Sequence, residues 1–142
     1  MENQEIGLRE TFSEVARFRH ALETLDKRRV PPTLAEFPLG SCGDVCEILA
    51  EHLKEFGFGL FDYVMGINDI GKTHAWLEQD GVIIDITADQ FSGFSEKTYI
   101  CKTGKFHEQF SVQERHKAGY SMLDEKSKTE LEEVHVLIKA QM

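Results

Sequence analysis

Two residues, Asp80 and Gly81, constrain this chain more than any others. They separate the alternating run THAWLEQ, residues 73–79, from the β-branched run VIIDIT, residues 82–87. An Asp-Gly pair in that setting favours a two-residue type I′ turn, so the chain should contain an antiparallel hairpin. Its register can be counted outward from the turn. Gln79 faces Val82, Leu77 faces Ile84, Trp76 faces Asp85 and His74 faces Thr87. Directly paired residues share a face of the sheet. One face then carries Ala75, Leu77, Val82, Ile84 and Ile86, with Gln79 polar at the turn, and reads as a core face. The other carries His74, Trp76, Glu78, Ile83, Asp85 and Thr87 and is mixed.

Around this hairpin the hydrophobic period changes. Residues 8–29 contain helix formers without Gly or Pro, and Leu8, Phe12, Val15, Phe18 or Arg19, Leu22 and Leu25 recur at helical spacing. Pro31 and Pro32 should stop this helix. A second helix is expected from Ser41, which can serve as its N-cap with Asp44 at the capping-box position. Its buried stripe is Val45, Ile48, Leu49, His52, Leu53 and Phe56, and Gly57 and Gly59 end it. Residues 60–67 and 97–102 read as further strands, residues 103–123 have no clear assignment, and residues 124–142 return to helix. In that last helix Leu131, Val134, Ile138 and Met142 share a face. The expected architecture is a single α+β domain over residues 1–142, with helices flanking an antiparallel sheet.

Composition narrows the partners. Sixteen Lys and Arg against 25 Asp and Glu give a net charge of −9. An acidic surface argues against a nucleic-acid backbone or an anionic membrane as the main partner. Residues 1–14 are polar, with neither a basic start nor an apolar core, and no apolar run approaches the ~18 residues of a spanning helix. The three cysteines, Cys42, Cys46 and Cys101, are an odd number and do not form a disulfide framework. A reducing, cytoplasmic setting is the expectation.

Chemistry concentrates in two places. On the mixed face of the hairpin, His74 and Asp85 are diagonal neighbours, with Cα atoms roughly 7–8 Å apart and side chains able to touch. An imidazole beside a carboxylate is oriented and tuned as a base. Asp89 has the same parity if the strand runs on, but its flanks are more polar, and Asp85 is preferred. The second feature is Cys42, the first helical residue after Ser41. Unpaired N–H groups and the positive dipole end at a helix start favour a thiolate and can hold an oxyanion. Gly40 and Gly43 leave room for a substrate backbone, and Trp76 flanks the site as sheet packing or as a wall. Cys42, His74 and Asp85 are thus a nucleophile, a base and an orienter. Cys46, one turn on, reads as packing, and Cys101 as an inert strand residue. A zinc site from Cys42, Cys46 and His52 or His74 lacks a second ligand pair at finger-like spacing, so no metal or other cofactor is expected. His20, His107, His116 and His135 show no partner in the sequence.

The stretches FPLGSCGDVCEILAEHLKEFGFG, residues 37–59, and HAWLEQDGVIIDITADQF, residues 74–91, resemble the papain-like and transglutaminase-like cysteine enzymes, most closely small bacterial members of that superfamily. The resemblance implies a helix that lays its N-terminal Cys against an antiparallel sheet bearing His and Asp. It maps nucleophile, base and acid onto Cys42, His74 and Asp85. Papain-type enzymes also carry a Gln before the nucleophile, and residues 34–39 contain none. The oxyanion donor would then be backbone N–H groups, or Gln90 folded back. The resemblance implies a peptide or other amide-containing substrate. It also allows a non-catalytic immunity or adaptor module that binds a basic partner through the acidic surface.

Overall fold

The computed structural model of the chain describes residues 2–102 and 104–142, with side chains from Gly7 onward. Met1 and Thr103, which fall in the polar start and in the unassigned stretch above, lie outside the described residues. Three helices, α1 (Glu2–Glu23), α2 (Cys42–Glu55) and α3 (Glu125–Gln141), accompany five strands. The strands are β1 (Asp62–Ile67), β2 (Thr73–Gln79), β3 (Val82–Asp85), β4 (Tyr99–Cys101) and β5 (Ser111–Lys117). They form one antiparallel sheet in the order β4-β3-β2-β1-β5. The α+β expectation holds at this level.

The hairpin forms as counted over the three pairs nearest the turn. Asp80 and Gly81 take φ of 50° and 79°, the two positive values that a type I′ turn requires. Gln79 pairs with Val82 and Leu77 with Ile84. The core face of the hairpin, with Ala75, Leu77, Ile84 and Ile86, packs against α2, and α1 and α3 add Phe18, Leu22, Leu131 and Ile138 to the same core. Residues 45–50 of α2 are all buried. A helix turn buried on every side, Glu47 included, belongs in the middle of a layered core.

The mixed face is also covered. Val64, Trp76, Ile83 and Phe110 form a second cluster, against which Phe91, Tyr99 and Phe106 pack. The covering residues come from β4 itself and from the connections on either side of it. They carry many aromatic rings but no regular period, so a sheet face that reads as half-exposed is in fact interior. β5 shows the reverse. Its residues are exposed except His116, and its run of charged and polar side chains suits an edge strand that must not pair with another sheet.

Three local expectations differ from the structure. α1 ends at Glu23 rather than near residue 29, because the Asp26 carboxylate accepts from Arg28 N at 2.9 Å and starts a separate 3₁₀ turn, Lys27–Arg29. Phe12 and Phe56, each on a predicted buried stripe, are 47% and 51% exposed, whereas Arg19 is buried. Ser41 does not cap α2 with its side chain. Its Oγ donates to Pro38 O at 3.1 Å, and Asp44 accepts from Thr33 instead. The helix still opens at Cys42. No helix among the described residues is long and apolar enough to cross a membrane.

Candidate active site

His74 lies near the start of β2 and is completely buried. Its Nε2 is 2.6 Å from Asp85 Oδ2, the contact that the hairpin register predicts. The Asp85 carboxylate, 2% exposed, is satisfied on both oxygens. Oδ1 accepts from Thr87 N at 3.0 Å and from Thr87 Oγ1 at 3.4 Å. Oδ2 accepts from His74 and also from His107 Nε2, again at 2.6 Å. An ionised carboxylate only accepts, so both imidazoles carry hydrogen on Nε2. His74 Nδ1 is therefore left to face the reaction space.

Two side chains meet His74 there. The Cys42 side chain lies close enough to His74 to raise its pKa. Gln90, in the 3₁₀ turn Ala88–Gln90, brings Nε2 to 3.3 Å from His74 Nδ1. Cys42, half-buried, is the first residue of α2, with the free N–H groups of the first turn around it. Gly40 is exposed, and a Cβ there would meet nothing within 4 Å; one at Gly43 would come no closer than 3.5 Å to Tyr63 Oη. Neither glycine beside Cys42 is tightly packed by a neighbour.

Burial opposes a charge on His74, but its hydrogen bond to Asp85, with the influence of Cys42 and the nearby charges, outweighs it and pushes its pKa up to about 9. Burial likewise opposes the Asp85 carboxylate, and its bonds to His107 and His74 override that, holding it well below the usual carboxylate range. Cys46 differs from Cys42. It is buried, and burial first, then the charges of Cys42 and Asp85, push its thiol well above the ordinary value. Cys101 is half-buried on β4.

Of the residues singled out in the sequence, Cys42, His74, Asp85 and Gln90 come together. Trp76 is 3% exposed, so it packs below the site rather than along an open wall. Asp89 turns away. Its two oxygens accept from Arg19 at 2.8 and 2.9 Å, and Arg19 also donates to the carbonyls of Ile86 and Lys97. Asp89 thus fastens the turn that carries Gln90 to α1. Three histidines without an evident partner in the sequence have one. His107 joins Asp85. His135 Nε2 lies 2.9 Å from His52 Nδ1, and His52 Nε2 lies 2.6 Å from Glu14, a buried chain across the three helices and away from the site. His116 stacks on Tyr63 at 4.5 Å. The one trace of His107 in the sequence is its place between Phe106 and Phe110, a polar residue inside an aromatic run.

His74, Asp85 and His107 each offer one potential ligand atom, all within 4.8 Å of one another. Two ligand atoms ~2.1 Å from one tetrahedral cation lie ~3.3 Å or more apart. Both imidazole nitrogens here are 2.6 Å from the same carboxylate oxygen, which is hydrogen-bonding geometry. Searches with the sequence and the fold found no matching family model, no matching curated protein and no matching solved structure.

Proposed function

We propose that the chain is a cysteine-dependent acyl-transfer enzyme on a papain-like or transglutaminase-like core, acting on a peptide or other amide-containing substrate by hydrolysis. One observation carries this reading: a single imidazole is bonded through one nitrogen to a buried carboxylate and has a helix-opening cysteine close enough to shift its pKa. His74 Nδ1 takes the Cys42 proton and keeps it in a thiolate–imidazolium pair, in line with its raised pKa, while Asp85 holds the ring. The thiolate attacks the substrate carbonyl carbon. The resulting oxyanion is met by backbone N–H groups of the first turn of α2 and by the Gln90 amide, in place of the Gln absent before Cys42. Collapse breaks the C–N bond, and the amine leaves with the proton from His74. Water then gives a proton to His74 and attacks the thioester, releasing the acid and restoring the thiol.

Labelling with iodoacetamide at pH 7, followed by peptide mapping, tests the nucleophile. Cys42 should label at least ~10-fold faster than Cys46 or Cys101, and His74→Ala should remove that advantage. Equal rates at the three thiols, with Cys42→Ala leaving amide hydrolysis unchanged, would falsify the catalytic reading.

The complete burial of His74 favours a second reading, a non-catalytic module on the same core that binds a basic partner through its acidic surface. In that case Cys42 stays unlabelled in the folded chain.

A further inference from the structure

We propose that His107 is a positioning residue of this site, dividing the charge of Asp85 between two imidazoles and so setting the basicity of His74. The inference rests on the acyl-transfer reading for its consequence in catalysis, but not for the physical coupling itself. His74 and His107 address the same oxygen, Asp85 Oδ2, each at 2.6 Å. The two rings are 6.2 Å apart and nearly parallel, so they approach the carboxylate side by side. Asp85 Oδ1 is meanwhile tied to Thr87. The carboxylate therefore keeps its orientation when either imidazole is removed, and the remaining imidazole receives the negative charge that the two had shared.

His107 is held for this role. It is 4% exposed, with Trp76 at 4.8 Å and Phe106 at 5.1 Å between ring centres. On its other side the backbone passes very close at Gly104. A Cβ there would lie 3.0 Å from His107 Nδ1 and 2.5 Å from Ile83 Cδ1, so only glycine fits without displacement. His107 Nδ1 is buried and makes no hydrogen bond, so the ring is anchored by packing and by its one bond to Asp85. Other titratable or charged groups act on this cluster. Cys42 and Cys46 of α2 bear on His74 and Asp85, Tyr99 of β4 bears on Asp85, and Lys72 sits over Phe91 at 6.0 Å.

The test is the titration midpoint of His74, followed by NMR of the imidazole in the intact chain. In His107→Leu the undivided charge of Asp85 falls on His74, and the midpoint rises by roughly half a unit to one unit. His107→Gln can return an N–H donor to Asp85 and brings the midpoint back towards that of the parent. Gly104→Ala pushes His107 aside without changing a polar group and raises the midpoint by a smaller amount. It also serves if the leucine variant fails to fold. Where Cys42 is the nucleophile, the alkaline limb of its activity moves with the midpoint. An unchanged or lowered midpoint in both His107→Leu and Gly104→Ala overturns the inference, as does a glutamine variant that behaves like leucine. The midpoint needs no turnover, so these outcomes are separate from failure of Cys42 to react.

Discussion

Asp85→Asn is expected to lower the midpoint of thermal unfolding by ~10 °C and to slow any Cys42-dependent turnover by ~10³–10⁴-fold. The carboxylate accepts from two imidazoles and from the amide and hydroxyl of Thr87. An asparagine amide offers one oxygen and an NH₂ group, so at least one of those donors must face another donor. Leaving a buried charged pair without one partner costs ~3–5 kcal/mol. At ~2–4 °C per kcal/mol in a chain near this size, that gives the stated shift. The loss of rate follows from the imidazole, because Asn no longer requires hydrogen on His74 Nε2 and no longer supports the charged ring beside Cys42. The pH dependence separates the two members of the pair. His74 has its pKa raised to about 9, so its contribution to stability is full below its ordinary value of 6.5 and is lost as pH rises through about 9. Asp85 has its pKa depressed, so its contribution is present above its ordinary value of 3.8 and is lost as pH falls further into the acid range. Thermal melts of Asp85→Asn should therefore show a flatter profile between pH 6.5 and 9 than the parent. A midpoint lowered by less than ~3 °C, with an unchanged profile, would mean that the network bears no weight in the folded chain.

The second large effect is expected at Arg19. Its guanidinium is 4% exposed and spans α1, the Ile86 and Lys97 carbonyls, Asp89 and Glu23. Burial lowers the tendency of Arg19 to stay charged, but Asp89 and then Glu23 outweigh it. Arg19→Met should destabilise the chain by ~3–5 kcal/mol, since it strands the Asp89 carboxylate and two carbonyls. Arg19→Met with Asp89→Leu replaces both charges by apolar groups and should recover a large part of that loss, so a denaturant-based double-mutant cycle should give a coupling of ~2 kcal/mol or more. A pair of additive single effects would reduce the clamp to two unrelated contacts. Gln90 follows Asp89 in the same turn, so the single variant should also weaken whatever Gln90 does beside His74.

These residues show which contacts are legible from the sequence. His74 and Asp85 are 11 positions apart across a two-residue turn, and the turn type with a period of two fixes their side of the sheet. Cys42 at the start of a helix is legible for the same local reason, through the glycines and the change to helical period. The Arg19–Asp89 clamp joins positions 70 apart, and His107 reaches Asp85 across 22 positions of mostly irregular chain. Neither contact lies in a repeating pattern that would reveal it. The aromatic cover of the second face failed to show for the same reason. Its rings pack by shape from loops, and loops have no period. Asp89 was the rival to Asp85 on parity alone, and α1, which parity does not see, separates them.

Trp76, the chain's only tryptophan, sits 6.0 Å from His74 and 4.8 Å from His107, sealed from solvent beneath them. An indole is quenched more strongly by a charged imidazole than by a neutral one. The intrinsic fluorescence of the whole protein is therefore a single-residue optical signal of the protonation of His74. Proton movement in the site can be followed by emission intensity at micromolar concentration, with no label attached and no substrate known.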